Sequence, residues 1–300
     1  MKKRTRTILF FSLFFIFILS TPAIILYSQG YRLDLEKRKI TQTGGIFLHI
    51  EPKQAEIYIN DKLAKKTDFF FGSALLENLL PGGYKIKIKK EGYYLWEKNL
   101  EVKEKQVTEA KNITLIQRRV GFTILTKNIK NFWPSLDGKK LVLLENDKNG
   151  ATLKLYDLQK NLKSILTEEE KKIYPTSTAA DSTSTDIISP DKKKSAVFSD
   201  SEIWIFYLKD MAEQPAKKAG EKQFLSRLSE KIDDVFWLDN NYLIFNSGNN
   251  IKIAETDDRD RIQIWDIGSF PSPKIFFNQA DKKLYILSEN TLYQSENLIK

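Results

Sequence analysis

The 300-residue chain is 41% hydrophobic with 12% aromatics, enough apolar material for a buried core and too much for wholesale disorder. It has no cysteine and one histidine, His49, which excludes disulfide scaffolds, thiolate metal sites, iron–sulfur clusters, cysteine nucleophiles and two-histidine zinc motifs. Of the net +9, residues 1–28 hold four basic groups and no acid, residues 29–118 hold 17 basic and 12 acidic groups, and residues 119–300 hold 27 of each; lysine dominates and is scattered, so no nucleic-acid partner is expected.

Lys2, Lys3, Arg4 and Arg6 precede an uncharged run from Thr7 to Tyr31. As a helix those residues reach ~37 Å, more than the ~30 Å hydrocarbon core requires. The run Ile8–Tyr27 is apolar on every side, broken only at Ser12, Ser20, Thr21 and Pro22, unlike a soluble surface helix. The basic cluster places the N-terminus in the cytoplasm. A cleaved signal peptide is the competing reading, with Ile8–Leu19 as its apolar region and a poor cleavage site at Thr21-Pro22-Ala23. Ile24–Tyr27 extend the apolar run to membrane length and favour a retained single-pass anchor. The expected division is a cytoplasmic N-terminus (1–7), a transmembrane helix (8–28), a polar stalk (29–43), a small β domain (44–118) and a repeat domain (119–300).

After Gly44-Gly45, short strands alternate with turn signals. Ile46, Leu48 and Ile50 share one strand face, with Phe47 and His49 on the other. A lone His49 is no convincing ligand or base. Strands are expected at Ala55–Ile59, Tyr84–Ile88, Leu95–Val102 and Val107–Ile116, with Pro81-Gly82 setting a turn through proline's fixed φ and glycine's tolerance of positive φ. The ordered elements Gly45, Pro52-Lys53-Gln54-Ala55, Tyr58-Ile59-Asn60-Asp61, Pro81-Gly82-Gly83-Tyr84 and Gly92-Tyr93 resemble the PEGA domain family over residues 44–116. Lys53-Gln54 replace the family's Glu-Gly. The resemblance implies a small β-sandwich of an envelope-exposed protein, with no catalytic residues to carry over. Tyr84 and Tyr93 are expected to fill the sandwich.

The second half repeats a turn. Ser135-Leu136-Asp137-Gly138-Lys139, Ser189-Pro190-Asp191-Lys192-Lys193 and degenerate copies at Asp239 and Asp281 each lead into a short strand. Further strands are expected at Thr152–Asp157, Ile203–Leu208, Ile251–Ala254 and Thr291–Gln294, and at Ser164–Leu166, Phe224–Leu228 and Ile262–Ile267. Spacings of about 40–50 residues with several short strands each are the signature of propeller blades. These turns resemble the Ser-Pro-Asp-Gly-Lys hairpins of TolB-type and WD-repeat propellers. The resemblance implies about four blades, as a closed ring, a partial propeller or a domain completed by another chain. Val120–Leu125 is the candidate to pair with the last blade. Trp133, Trp204, Trp237 and Trp265 are assigned to the core between blades.

Thr176–Asp186 reads as a Ser/Thr-rich surface insertion and Lys209–Lys222 as a charged loop. Asp257–Arg261 lacks calcium-loop spacing and reads as a hairpin turn. No phosphate-cradling loop, nucleophile elbow or kinase set occurs. The fold class is thus mainly β: an N-terminal transmembrane helix, a PEGA-like sandwich and a propeller-like repeat domain. The expected function is non-enzymatic, a membrane-anchored cell-envelope protein binding a protein or cell-wall polymer, with no cofactor and no metal. The alternative is a propeller-based extracytoplasmic hydrolase with an unrecognised site.

Overall fold

The apolar run forms a single helix, α1 (Lys3–Ser28), long and apolar enough to cross a membrane. It stops at Gly30, whose φ of +82° lies in the left-handed region that terminates helices, with its N–H donated to the Tyr27 carbonyl at 3.1 Å. The computed structural model describes residues 3–35, 37–68, 70–135, 137–147, 150–166 and 187–299. Thr176–Asp186 lies outside them.

The described chain is mainly β and divides into two compact units, Met1–Ile88 with Glu97–Ile113, and Lys89–Trp96 with Thr114–Lys300. Residues 29–43 differ from the expected stalk. They fold into an antiparallel hairpin, β1 (Tyr31–Asp34) and β2 (Lys39–Gln42), closed by the Thr43 amide on the Gly30 carbonyl at 2.9 Å. The charged residues that made the segment look like a stalk hold it down instead: Asp34 is buried and Lys39 pairs with Glu104 at 3.4 Å.

The rest of the first unit is built from β3 (Gly44–Glu51), β4 (Glu56–Ile59), β5 (Lys62–Lys66), β6 (Ser73–Leu79), β7 (Gly82–Lys89), β8 (Trp96–Val102) and β9 (Val107–Thr114). They form two sheets, in the orders β6-β3-β9 and β5-β4-β7-β8. Ile46, Leu48, Ile50, Ile57, Ile86 and Ile88 are each completely buried, the result of apolar alternation at period two.

Among the described residues, the second unit holds four four-stranded antiparallel sheets. The first comprises β11 (Ile129–Pro134), β12 (Lys140–Asp147), β13 (Gly150–Asp157) and β14 (Leu162–Ile165). The second comprises β15 (Ile187–Ile188), β16 (Lys194–Phe198), β17 (Glu202–Tyr207) and β18 (Lys222–Arg227). The third comprises β19 (Ile232–Trp237), β20 (Tyr242–Ser247), β21 (Asn250–Glu255) and β22 (Ile264–Ser269). The last runs β23 (Lys274–Asn278), β24 (Lys283–Ser288), β25 (Thr291–Ser295), with β10 (Phe122–Lys127) paired outside β25, Phe122 opposite Ser295. The second and third sheets share a core that includes Ile203, Ile205, Val235, Trp237 and Phe245, and the first and last share one that includes Phe132, Leu141, Leu143, Tyr285 and Leu292.

The boundary read from sequence at residue 118 is displaced. Residues 89–96 and 114–118 belong with the second unit, where Tyr94 Oη donates to the Asp266 carbonyl at 2.8 Å, Trp96 Nε1 donates to Glu255 at 3.0 Å and the Thr114 amide donates to Tyr242 Oη at 2.9 Å.

Candidate binding face

The four repeated turns join the first and second strands of the four sheets. In the first, Ser135 Oγ donates to Asp137 at 2.6 Å and accepts the Lys140 amide at 3.0 Å, while the Lys139 amide donates to Asp137. Ser189, Asp191, Lys193 and Lys194 repeat every bond, at 2.6, 3.1 and 2.9 Å. Asp239 accepts the Asn241 and Tyr242 amides, and Asp281 accepts the Lys283 amide and Tyr285 Oη. Each carboxylate thus closes its own turn. The Ser135 hydroxyl holds the Asp137 carboxyl below its usual range, whereas burial pushes the Asp239 carboxyl up.

The turns are also tied to one another. Asn240 accepts the Asp191 amide at 3.0 Å, Gln279 Nε2 donates to the Trp237 carbonyl, and Asn278 Nδ2 donates to the Gly138 carbonyl at 2.8 Å. Gly138 has φ +65°, and a Cβ there would sit 2.9 Å from Asn278 Oδ1. These polar residues serve architecture. Asp257 is held by Arg259 and Asp258 by Lys217, each at 2.6 Å.

One face of the second sheet carries partly exposed aromatic side chains. Along β17, Ile203, Ile205 and Tyr207 turn to the shared core, so Trp204 and Phe206 turn the other way. Cross-strand register sets Trp204 between Val197 and Phe224, and Phe206 between Ser195 and Lys222. The Trp204 and Phe224 rings meet edge to face at 5.0 Å. Trp204 Nε1 donates to Glu202 at 3.0 Å, and Arg227 grips the same carboxylate, which fixes the indole. The Trp204 indole, and after it the Arg227 pair, hold the Glu202 carboxyl below its usual range. Phe224 is 43% exposed and Ile188, opposite Ser195, 56%. Ser195 Oγ is buried without a hydrogen-bond partner among the described residues.

Sequence reasoning assigned all four of these tryptophans to the core. Trp237 lies in the core shared by the second and third sheets, and Trp265 is buried against Tyr242. Trp133 is partly buried and packs on a separate buried cluster of Val142, Leu155 and Leu166. Trp204 is only partly buried because Ile203, Ile205 and Tyr207 already take the core side of β17. The signal for the missed face was the run Glu202–Tyr207, apolar on both sides where a one-faced strand alternates with polar residues.

The PEGA-like motif residues are spread along the first unit and the adjoining 89–96 segment and form no cluster of chemistry. Gly45 donates its amide to the Gln106 carbonyl, Pro52 follows a cis peptide, and Ala55 is buried beneath Thr67. Asn60, at φ +48°, exchanges bonds with the Lys85 backbone. The Pro81-Gly82 turn has a different basis from the one expected. Neither Gly82 nor Gly83 has positive φ; Asn78, at +61°, does. Tyr84 is half-buried and donates to the Leu80 carbonyl at 2.8 Å, its hydroxyl pushed up by burial. Gly92, at φ +82°, accepts the Arg118 amide. Tyr93 is only partly buried and bridges to Gln117 in the second unit rather than filling the first. His49 bonds Ser73 Oγ at 2.9 Å on the non-core face of β3.

No protein-family model matches the sequence, and no curated protein matches it. Among solved structures, a protein of unknown function from Bacteroides thetaiotaomicron shares 13% identity, with 80% of this chain and 62% of that one covered and a TM-score of 0.26. The extracellular domain of a two-component system from the same organism shares 11%, with 90% and 31% covered and a TM-score of 0.28. The β-propeller domain of Cps50 (Swd1) from Myceliophteria thermophila shares 10%, with 78% and 86% covered and a TM-score of 0.29. The chain thus spans less than two thirds of the first two structures, and similarity at this level carries no argument about function.

Proposed function

We propose that this is a non-enzymatic cell-envelope protein, held by α1 as a retained single-pass anchor with its N-terminus in the cytoplasm. On this reading the first unit is a PEGA-type sandwich, and the second is a four-bladed β-propeller that presents a binding face to an envelope protein or cell-wall polymer. The observation that carries the reading is the Trp204–Phe224 face: aromatic surface, an indole braced by Glu202 and Arg227, and a buried hydroxyl at Ser195. Exposed aromatics held in one geometry are the usual anchors of protein and sugar recognition. The turn carboxylates support binding over hydrolysis, because Asp137, Asp191, Asp239 and Asp281 are each engaged by their own turns.

The test is capture of partners from envelope extract and from purified wall polymer by the detergent-solubilised full chain, with Trp204→Ala and Phe224→Ala beside it. Loss of a specific partner from both variants, with melting curves close to the parent's, is the expected result. Equal capture by the parent and both variants removes the binding face from consideration. N-terminal sequencing of the membrane fraction tests the anchor; a mature chain starting near Ile24 overturns it.

A further inference from the structure

The hairpin after α1 presents two unlike faces. Arg32, Asp34, Lys39 and Thr41 turn toward the first unit: Arg32 reaches Asn78 at 2.7 Å, Lys39 and Thr41 meet Glu104, and Asp34 and Thr41 are buried. Cross-strand register sets Leu33 opposite Ile40 on the other face. These two residues are 60% and 62% exposed, and Leu35 at the turn is 77% exposed. An apolar trio left bare on so small an element calls for a covering surface.

Its position says which surface. The apolar run Ile8–Tyr27 matches the ~30 Å hydrocarbon core, so Tyr27 falls at the membrane boundary, where tyrosine is favoured. Arg32 then folds β1 back on the helix end. Its guanidinium donates to the Tyr27 carbonyl at 2.7 Å and lies 3.6 Å from the Tyr27 ring centroid. With ~3.3 Å per strand residue, Leu33 and Ile40 stay within about 10 Å of that boundary, beside a headgroup layer that adds roughly 5–8 Å on each side of the hydrocarbon core. Arg38, in the turn, is exposed and makes no ion pair or hydrogen bond with the described residues. We infer that the Leu33–Leu35–Ile40 face of this hairpin rests in the headgroup layer of the membrane that α1 spans, with Arg38 on lipid phosphate. The inference depends on the retained-anchor reading. Shallow burial of a few apolar side chains beside a basic group is how interfacial elements bind bilayers. It would fix the tilt of the first unit instead of leaving it on a free tether.

The chain's lack of cysteine makes the test direct. Single variants Leu33→Cys, Leu35→Cys and Ile40→Cys carry an environment-sensitive dye in the full chain, reconstituted in phosphatidylcholine/phosphatidylglycerol nanodiscs. Leu13→Cys in the helix and Leu63→Cys, 61% exposed on β5, are controls. Dyes at 33, 35 and 40 should be quenched by lipids spin-labelled near the headgroup and be severalfold less open to iodide than the dye at 63. Adding Arg38→Glu should weaken the lipid quenching of the dye at 35. Iodide access at 33 and 40 equal to that at 63, with the dye at 13 quenched by lipid, overturns the inference and leaves the anchor standing. Protection from iodide without lipid quenching means a protein contact, such as a second copy, and also overturns it. A dye at 13 open to water overturns the anchor and the inference together.

Discussion

The Lys194 ammonium lies 5.5 Å from the centroid of the Trp237 ring, on a lysine that is only 1% exposed. Burial pushes this amine below the usual lysine range, while Asp191 and Asp239 pull it back. Between its lowered folded pKa and the ordinary value near ~10.4, the unfolded chain binds more protons than the folded one, so stability contributed by this site rises with pH. Lys194→Met should therefore remove a rise in stability on the alkaline side of neutrality, read as the difference between parent and variant unfolding midpoints across pH. The difference is needed because the buried hydroxyls of Tyr207 and Tyr242, pushed up by burial, act in the opposite sense above about pH 10. A parent and variant with parallel profiles would contradict the assignment.

Trp237 and Trp204 should respond differently to truncation. Trp237 is 3% exposed and donates Nε1 to the Ile187 carbonyl at 2.7 Å, which joins the second and third sheets. Trp237→Ala should cost about 3–5 kcal/mol, enough to unfold a marginal domain. Trp204→Ala should cost clearly less in the same denaturant titration, since its ring is partly solvated and its loss opens no closed cavity.

The two complete turns offer a test of equivalence. Ser135→Ala and Ser189→Ala each remove one donor to an aspartate and one acceptor for a backbone amide. Each should cost about 1–2 kcal/mol, and the double variant should be additive because the two turns share no partner. A strongly non-additive midpoint would mean that the turns act through one another.

Trp96→Phe should lower the stability of the second unit by about 1–3 kcal/mol, because the Glu255 carboxylate, only 2% exposed, loses its indole donor. A residue 159 positions away in sequence would thereby act on the third sheet. Hydrogen exchange at β20 and β21 is the measurement; protection equal to the parent's would show that the bond contributes little.

What was readable in the sequence was what repeats. Ile46, Leu48 and Ile50 announced a core face by alternation, and the four aspartates announced four equivalent hairpins because a turn closed by its own side chain is a local device. The pairing of Val120–Leu125 with the last unit took shape as β10 against β25. Strand β5 gave no signal because Lys62–Lys66 is exposed along its whole length, an edge strand blunted by lysine. The hairpin at 31–42 was hidden by charges whose partners, Asn78 and Glu104, lie far along the chain. Trp204 was misread because a hydrophobicity pattern does not say which of two apolar faces is covered.

Phe122 of β10 pairs with Ser295 of β25, 173 positions later, so the last sheet joins segments far apart in the chain. Contacts between such distant segments slow folding, since the closure entropy of the long loop is met before the pairing returns any energy.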